Sequence, residues 1–183
     1  MVTGAHSGGI ERGRVADRLT RLQREDYMEA TWSKWSHFEL RKLSNIPKKN
    51  GVYQFRCVDR ERVPMVIGRL KNKDPEGIIY IGSSVNLRTR LKGFWRTIEN
   101  KDQSRHAAAW TYCSFGYSSL FPAKRLQFRY KVTPRITTSE FDLLLAYRKK
   151  FMDSPPLNSN RPPYPGDWKA RIKKVFGRRP LPA

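Results

Sequence analysis

Two tyrosines and an arginine stand at spacings that could bring them to one point. Tyr53 lies in a strand-forming stretch opened by Gly51, in which apolar and polar residues alternate from Val52 to Cys57. Tyr80 lies in a second, more apolar strand, Ile78-Ile79-Tyr80-Ile81, stopped by Gly82 and a serine pair. From Asn86 the period becomes helical: Leu87, Leu91, Phe94, Trp95 and Ile98 share one apolar face. Arg90 sits on the flank of that face, roughly 75° from its centre at about 100° per residue. Phenols can orient water or anions, and a guanidinium can neutralise charge on phosphoryl oxygens. Arg90 could equally cover the rim of the core with its methylenes.

A carboxylate completes the chemistry. From residue 104 onward the chain has four acids, Glu140, Asp142, Asp153 and Asp167, against sixteen lysines and arginines. Chemistry on an anionic ester at neutral pH calls for charge stabilisation by a metal, an arginine, or both. On a helical wheel Glu140 points within about 40° of Leu144, Tyr147 and Phe151. A carboxylate on the buried side of a helix is costly unless paired or bound to a cation. The competing reading places Glu140 in an exposed first turn, favoured by the helix dipole. Asp142 suits a capping partner for Ser139.

Composition narrows the partner. The chain has 183 residues, enough for one domain with extensions, and 37 Lys+Arg against 16 Asp+Glu give a net charge of +21. Such a field attracts polyanions, so nucleic acid is the leading partner, with an anionic membrane surface or plain solubility as the alternative. There is no apolar run long enough to span a bilayer and no signal-peptide core, which points to the cytoplasm. Cys57 and Cys113 are isolated, as expected in a reducing compartment, and the histidines His6, His37 and His106 complete no zinc spacing.

The elements that must position these groups can be read in order. Residues 1–14 read as a flexible, Gly-rich tail. Residues 15–46 read as a helical N-terminal extension: Val15, Leu19, Leu22, Met28, Trp32, Trp35 and Phe38 have helical spacing, continuing to about Leu43. It is either a DNA-contacting or dimerising arm or a helix packed on the domain. Residues 47–160 form the main domain, in which Val63–Gly68 adds a short strand and Lys71–Gly77 is a turn. A second helical stretch begins at Arg105-His106. Leu126–Val132 alternates like a half-exposed strand, and Glu140 lies at the start of a helix ending at Phe151. Residues 161–183 form a basic C-terminal extension with a short helix from Asp167 to Phe176.

Gly51-Val52-Tyr53, then Tyr80-Ile81-Gly82-Ser83-Ser84-Val85-Asn86-Leu87-Arg88-Thr89-Arg90, resembles the signature of the GIY-YIG nucleases. The second segment follows that family's YIG-S-x-x-N-L-x-x-R pattern, and the likeness spans about residues 51–158. It implies an α+β fold, a small antiparallel sheet of about three strands flanked by helices. It also implies a metal-dependent endonuclease. Carried over, Glu140 is the ligand of Mg²⁺ or Mn²⁺, Asn158 an active-site organiser, and Tyr53 a group that helps deprotonate the attacking water. A phenol with a pKa of about 10 is a poor base, so that role needs a shifted pKa or a proton relay. Tyr80 orients water or phosphate, and Arg90 neutralises developing charge. His106 is a further base or phosphate contact, or else an ordinary surface histidine. The connection between the two signature strands is longer than the family's short hairpin.

The substrate expected is DNA, double-stranded, gripped by Arg88, Lys92, Arg96, Arg105, Lys169, Lys173 and Arg178; self-association into a homo-oligomer is left open. The compact size suits a restriction-type or phage or mobile-element enzyme. A non-catalytic basic nucleic-acid-binding protein is the alternative, and it gives no reason for Tyr53, Tyr80, Arg90 and Glu140 to occur together.

Overall fold

Gly51–Cys57 is buried almost throughout because it lies inside a sheet with strands on both sides and helices on both faces. The computed structural model describes residues 31–100, 106–158 and 165–177. From Trp32 onward these belong to one compact unit. In chain order the elements are β1 (Ser36–His37), α1 (Leu40–Leu43), β2 (Gly51–Cys57), β3 (Ile67–Gly68), β4 (Lys73–Asp74) and β5 (Ile78–Ser84). They continue with α2 (Leu87–Asn100), α3 (Ala107–Ser114), α4 (Tyr117–Leu120), β6 (Leu126–Val132), α5 (Ile136–Phe151) and α6 (Trp168–Phe176).

The main sheet is antiparallel with the order β1-β6-β2-β5, and β3 and β4 form a separate two-stranded hairpin. The expected α+β class holds, with four strands in place of about three. Tyr53 stands opposite Gly82 in β5 and opposite Tyr130 in β6. One face carries the larger core, in which Tyr53 and Phe55 pack with Leu87, Leu91 and Phe94 of α2 and Tyr112 of α3. Phe55 stacks on Phe94 at 4.4 Å between centroids, a contact that contributes about 1 kcal/mol beyond its area. On the other face Ile78 and Ile81 pack with Leu144, Tyr147 and Phe151 of α5.

Sequence expectations are corrected at several points. The helix expected to reach Leu43 does not continue through Trp32 and Trp35. That segment runs extended beside β6, Ser33 N–H donating to the Tyr130 carbonyl at 2.8 Å, and Ser36–His37 pairs with Phe128 and Gln127. Trp32 and Trp35 gain more from the sheet than from a helix: the Arg129 guanidinium lies 4.8 Å and 4.4 Å from their ring centroids, and Arg56 lies 4.3 Å from Trp35. Phe38, Leu43 and Ile46 belong to the core, so residues 32–46 are part of the domain and not of an extension. The expected tail and the helical spacing before Thr31 lie outside the described residues.

The second correction concerns Ser139 and Asp142. The α5 helix starts at Ile136, so Ser139 is already inside it and its hydroxyl bonds that of Thr133. Asp142 instead accepts two hydrogen bonds from Arg171 of α6, at 2.8 and 2.6 Å. The segment expected as a turn, Lys71–Gly77, contains β4, and the short strand expected at Val63–Gly68 is confined to Ile67–Gly68.

Candidate active site

The signature segment is a strand, a turn, a helix cap and one turn of helix. Gly51 must be glycine because a Cβ there would lie 2.5 Å from the Lys131 carbonyl oxygen and 2.6 Å from Leu87 Cδ1. That close approach lets α2 start against the sheet. Asn86 caps the helix: its Oδ1 accepts from Thr89 N–H at 3.0 Å, a bond that stabilises a helix by about 1 kcal/mol. Capped there, α2 presents Arg90 one turn later beside both tyrosines. Gly82 leaves room for them, since a Cβ would meet Tyr80 Cε1 at 2.7 Å and the Tyr53 hydroxyl at 2.9 Å. The Tyr53 and Tyr80 rings lie 5.8 Å apart.

Arg90 Nε donates to the Tyr53 hydroxyl at 3.4 Å. Burial pulls the Arg90 pKa down, but the Tyr53 and Tyr80 hydroxyls more than offset it, and the guanidinium stays charged. His106 joins from the N-terminus of α3. Its Nδ1 accepts from Ala109 N–H, which places the imidazole proton on Nε2, and Nε2 lies 2.9 Å from the Tyr53 hydroxyl. Burial, helped by the Arg90 charge, pushes the His106 pKa down to about 3, so the ring is neutral at pH 7. His106 is therefore not a surface histidine; it is 2% exposed.

Tyr53 is fully buried, at 0% exposure. Desolvation holds its phenol well above the ordinary range, despite the opposing Arg90 charge. Of the two phenols, Tyr53 is the buried one and the half-buried Tyr80 occupies the outer position. Burial also raises Tyr80, and the negative charge of Glu140 adds to the effect while Arg90 opposes it.

Glu140 reaches the same place from α5. Because β5 is an edge strand, groups from the two faces of the sheet meet at its rim. The Glu140 carboxylate accepts a hydrogen bond from the Ser83 hydroxyl, the residue after Tyr80-Ile81-Gly82. Burial lifts its pKa, with Ser83 and the Arg90 charge acting against the rise. Asn158 clamps the same strand from outside. Its Oδ1 accepts from Ile81 N–H at 2.9 Å and its Nδ2 donates to the Ile81 carbonyl at 2.7 Å, while Leu157 N–H donates to Ile79. These bonds occupy backbone groups that an edge strand would otherwise leave open.

The sheet and its flanking helices therefore bring Tyr53, Tyr80, Arg90, His106 and Glu140 together, with Asn158 holding the strand between them. Ser83 was quoted in the motif without a role, although its position beside the strand end and its hydroxyl were the available signal. Among the described residues no three His, Cys, Asp or Glu side chains gather into a metal-ligand group. A cation here would rest on the Glu140 carboxylate, water and substrate oxygens. That donor set fits Mg²⁺, which keeps several waters and takes one or two carboxylates plus phosphate oxygens.

The basic residues divide. Arg88 is half-buried and ties α2 to the preceding loop, its Nε donating to the Ile46 carbonyl at 2.6 Å. Arg96 is exposed beside Arg90, in a groove also lined by Ser84, Asn86, Thr89 and Gly93. Lys92 is half-buried, and Lys169 and Lys173 are exposed on α6. Arg105 and Arg178 lie outside the described residues. No helix among the described residues is long and apolar enough to cross a membrane. Compared with protein-family models, with curated proteins and with solved structures, the chain gave no match in any of the three.

Proposed function

We propose that the chain is a divalent-cation-dependent endonuclease of the GIY-YIG type that hydrolyses phosphodiester bonds of double-stranded DNA. The observation that carries this reading is the convergence on β5 of Tyr80, of Arg90 from α2 and of Glu140, bonded to Ser83, from α5, with Arg90 lining an open groove on a chain of net charge +21. Arg90 offers a charged, planar donor set to the phosphoryl oxygens. Tyr80, the more exposed phenol, orients the attacking water. It loses its proton more readily whenever the Glu140 charge is neutralised, because that charge is one cause of its raised pKa. Tyr53 and His106 act as positioning residues that fix Arg90 and Tyr80 from the buried side. A Mg²⁺ or Mn²⁺ ion held by Glu140 would supply Lewis-acid stabilisation of the scissile phosphate and the leaving oxygen.

The direct test is Glu140→Gln, assayed by plasmid nicking with Mg²⁺ and by gel shift in parallel. The expected result is loss of nicking with DNA binding retained, since the substitution removes the cation's carboxylate and leaves the basic surface intact. Turnover at the wild-type rate would overturn the assignment.

A further inference from the structure

The β3–β4 hairpin, which lengthens the connection between the two signature strands, is the part of the domain that the proposed reaction does not use. Its turn docks on the end of α5, Lys71 N–H donating to the Phe151 carbonyl at 2.9 Å. There Arg69 Nη2 lies 3.0 Å from an Asp153 carboxylate oxygen, and the Arg69 side chain is 10% exposed. Its Nε and Nη1 are buried and meet no acceptor among the described residues. A guanidinium carries five N–H donors and stays charged, so buried donors without acceptors are costly.

Arg69 forms part of the wall of an open groove of about 440 Å³, together with Tyr117, Leu120, Ser154, Pro155 and Asn158. Asp153 lines the groove as its one carboxylate, and Arg148, whose Nε donates to the Ser154 hydroxyl at 2.9 Å, adds a second positive charge behind it. Tyr117 stacks on Phe121 with 8° between ring planes, and Leu120 is exposed, so part of the lining is apolar. A guanidinium and an aromatic ring lining one groove are the chemistry that holds a nucleotide backbone. Asn158, which clamps Ile81 next to Tyr80, also lines the groove, so the groove adjoins the strand that carries Tyr80.

We propose that this groove is a subsite for one backbone phosphate of a polynucleotide, with Arg69 as its ligand. Asp153 occupies one edge of the guanidinium until the phosphate arrives. The proposal rests on the nuclease reading only in taking a polynucleotide as the ligand.

The test is fluorescence anisotropy of a short labelled DNA duplex with the full chain in EDTA, titrated over salt, with melting curves as a folding control. Arg69→Met should weaken binding by about tenfold, the scale of one charge-assisted contact. It should also lower the log–log salt slope by about 0.9, the share of one phosphate. Asp153→Asn removes the competing carboxylate and should tighten binding several-fold. Wild-type affinity and slope in Arg69→Met would overturn the subsite. So would weakened binding in Asp153→Asn, which would show that the ion pair merely holds the hairpin. Should Arg69→Met fail to fold, Asp153→Asn decides alone. Because binding is read without metal, these outcomes are independent of whether the wild type nicks plasmid.

Discussion

The imidazole Nε2 of His106 sits 2.9 Å from the hydroxyl of Tyr53, across 53 residues of sequence. Both side chains are buried, and neither ring can move without opening the core around Phe94. The pair is therefore the rigid back wall against which Arg90 and Tyr80 are set.

That wall is acid-sensitive. The His106 pKa falls from an ordinary 6.5 to about 3 on folding. A depressed folded pKa contributes stability that is present above pH 6.5 and is lost as pH falls from there toward 3. The loss is on the order of a few kcal/mol, since each unit is worth about 1.4 kcal/mol. The melting temperature should drop through this window, and His106→Gln, which keeps an N–H near Tyr53, should flatten the drop. An equally steep fall in the Gln variant would place the titrating group elsewhere.

Arg90→Lys should keep the charge and lose the fork that can contact two phosphoryl oxygens. A decrease in nicking rate on the order of 10²-fold is expected, the scale of removing one transition-state donor. Single-turnover cleavage measures it. A rate within a few-fold of wild type would return Arg90 to the role of a rim residue.

Gly82→Ala tests the spacing of the phenols. The added methyl would lie 2.7 Å from Tyr80 and 2.9 Å from Tyr53, and the buried Tyr53 cannot yield. Overpacking of this kind costs about 1–3 kcal/mol. Thermal melting should show that loss, with nicking falling further than stability accounts for because Tyr80 is displaced. Full activity in a folded Ala variant would mean that the tyrosine geometry is not needed.

The C-terminal helix separates packing from charge. Arg171 ties α6 to α5 through Asp142, and Asp167 and Asp142 raise its pKa further. Because α6 is part of the packed domain, deleting it would mix unfolding with lost DNA contact. Neutralising Lys169 and Lys173 leaves the packing intact. If both touch phosphate, the salt slope should fall by about 2 units with an unchanged melt. Arg171→Ala should instead lower the melt slightly, by about 1 kcal/mol or less for a partly exposed pair. Identical salt slopes in the lysine variant would show that α6 does not face the duplex.

Local pattern carried much of this molecule. β2, β5, β6, α2 and the late helix to Phe151 follow from period-2 and period-3.6 spacing. Those periods depend only on neighbours within one chain segment. The spacing of Tyr53, Tyr80 and Arg90 was legible for the same reason, since strand, cap and helix turn follow one another within the signature. Trp32, Trp35 and Phe38 were misread because a three-residue spacing puts them on one helix face, whereas in the extended chain it sends Phe38 into one core and Trp35 against the other. Only Arg129 and Arg56, arriving from β6 and β2, made the extended form the better one.

The rest belonged to the tertiary structure. His106 on Tyr53, Ser83 on Glu140 and Asn158 on Ile81 join residues 53, 57 and 77 positions apart. No periodicity records such a pairing, because it depends on strand register and on which helix covers which face. Burial had the same origin. Whether Tyr53 met solvent, and whether Glu140 was lifted in pKa, depended on helices packed from both sides of the sheet. The sequence by itself determined which groups were present and the short elements that carry them. The assembled core decided which of them meet, which stay dry, and which are left facing the groove, because desolvation and contact are set by neighbours distant along the chain.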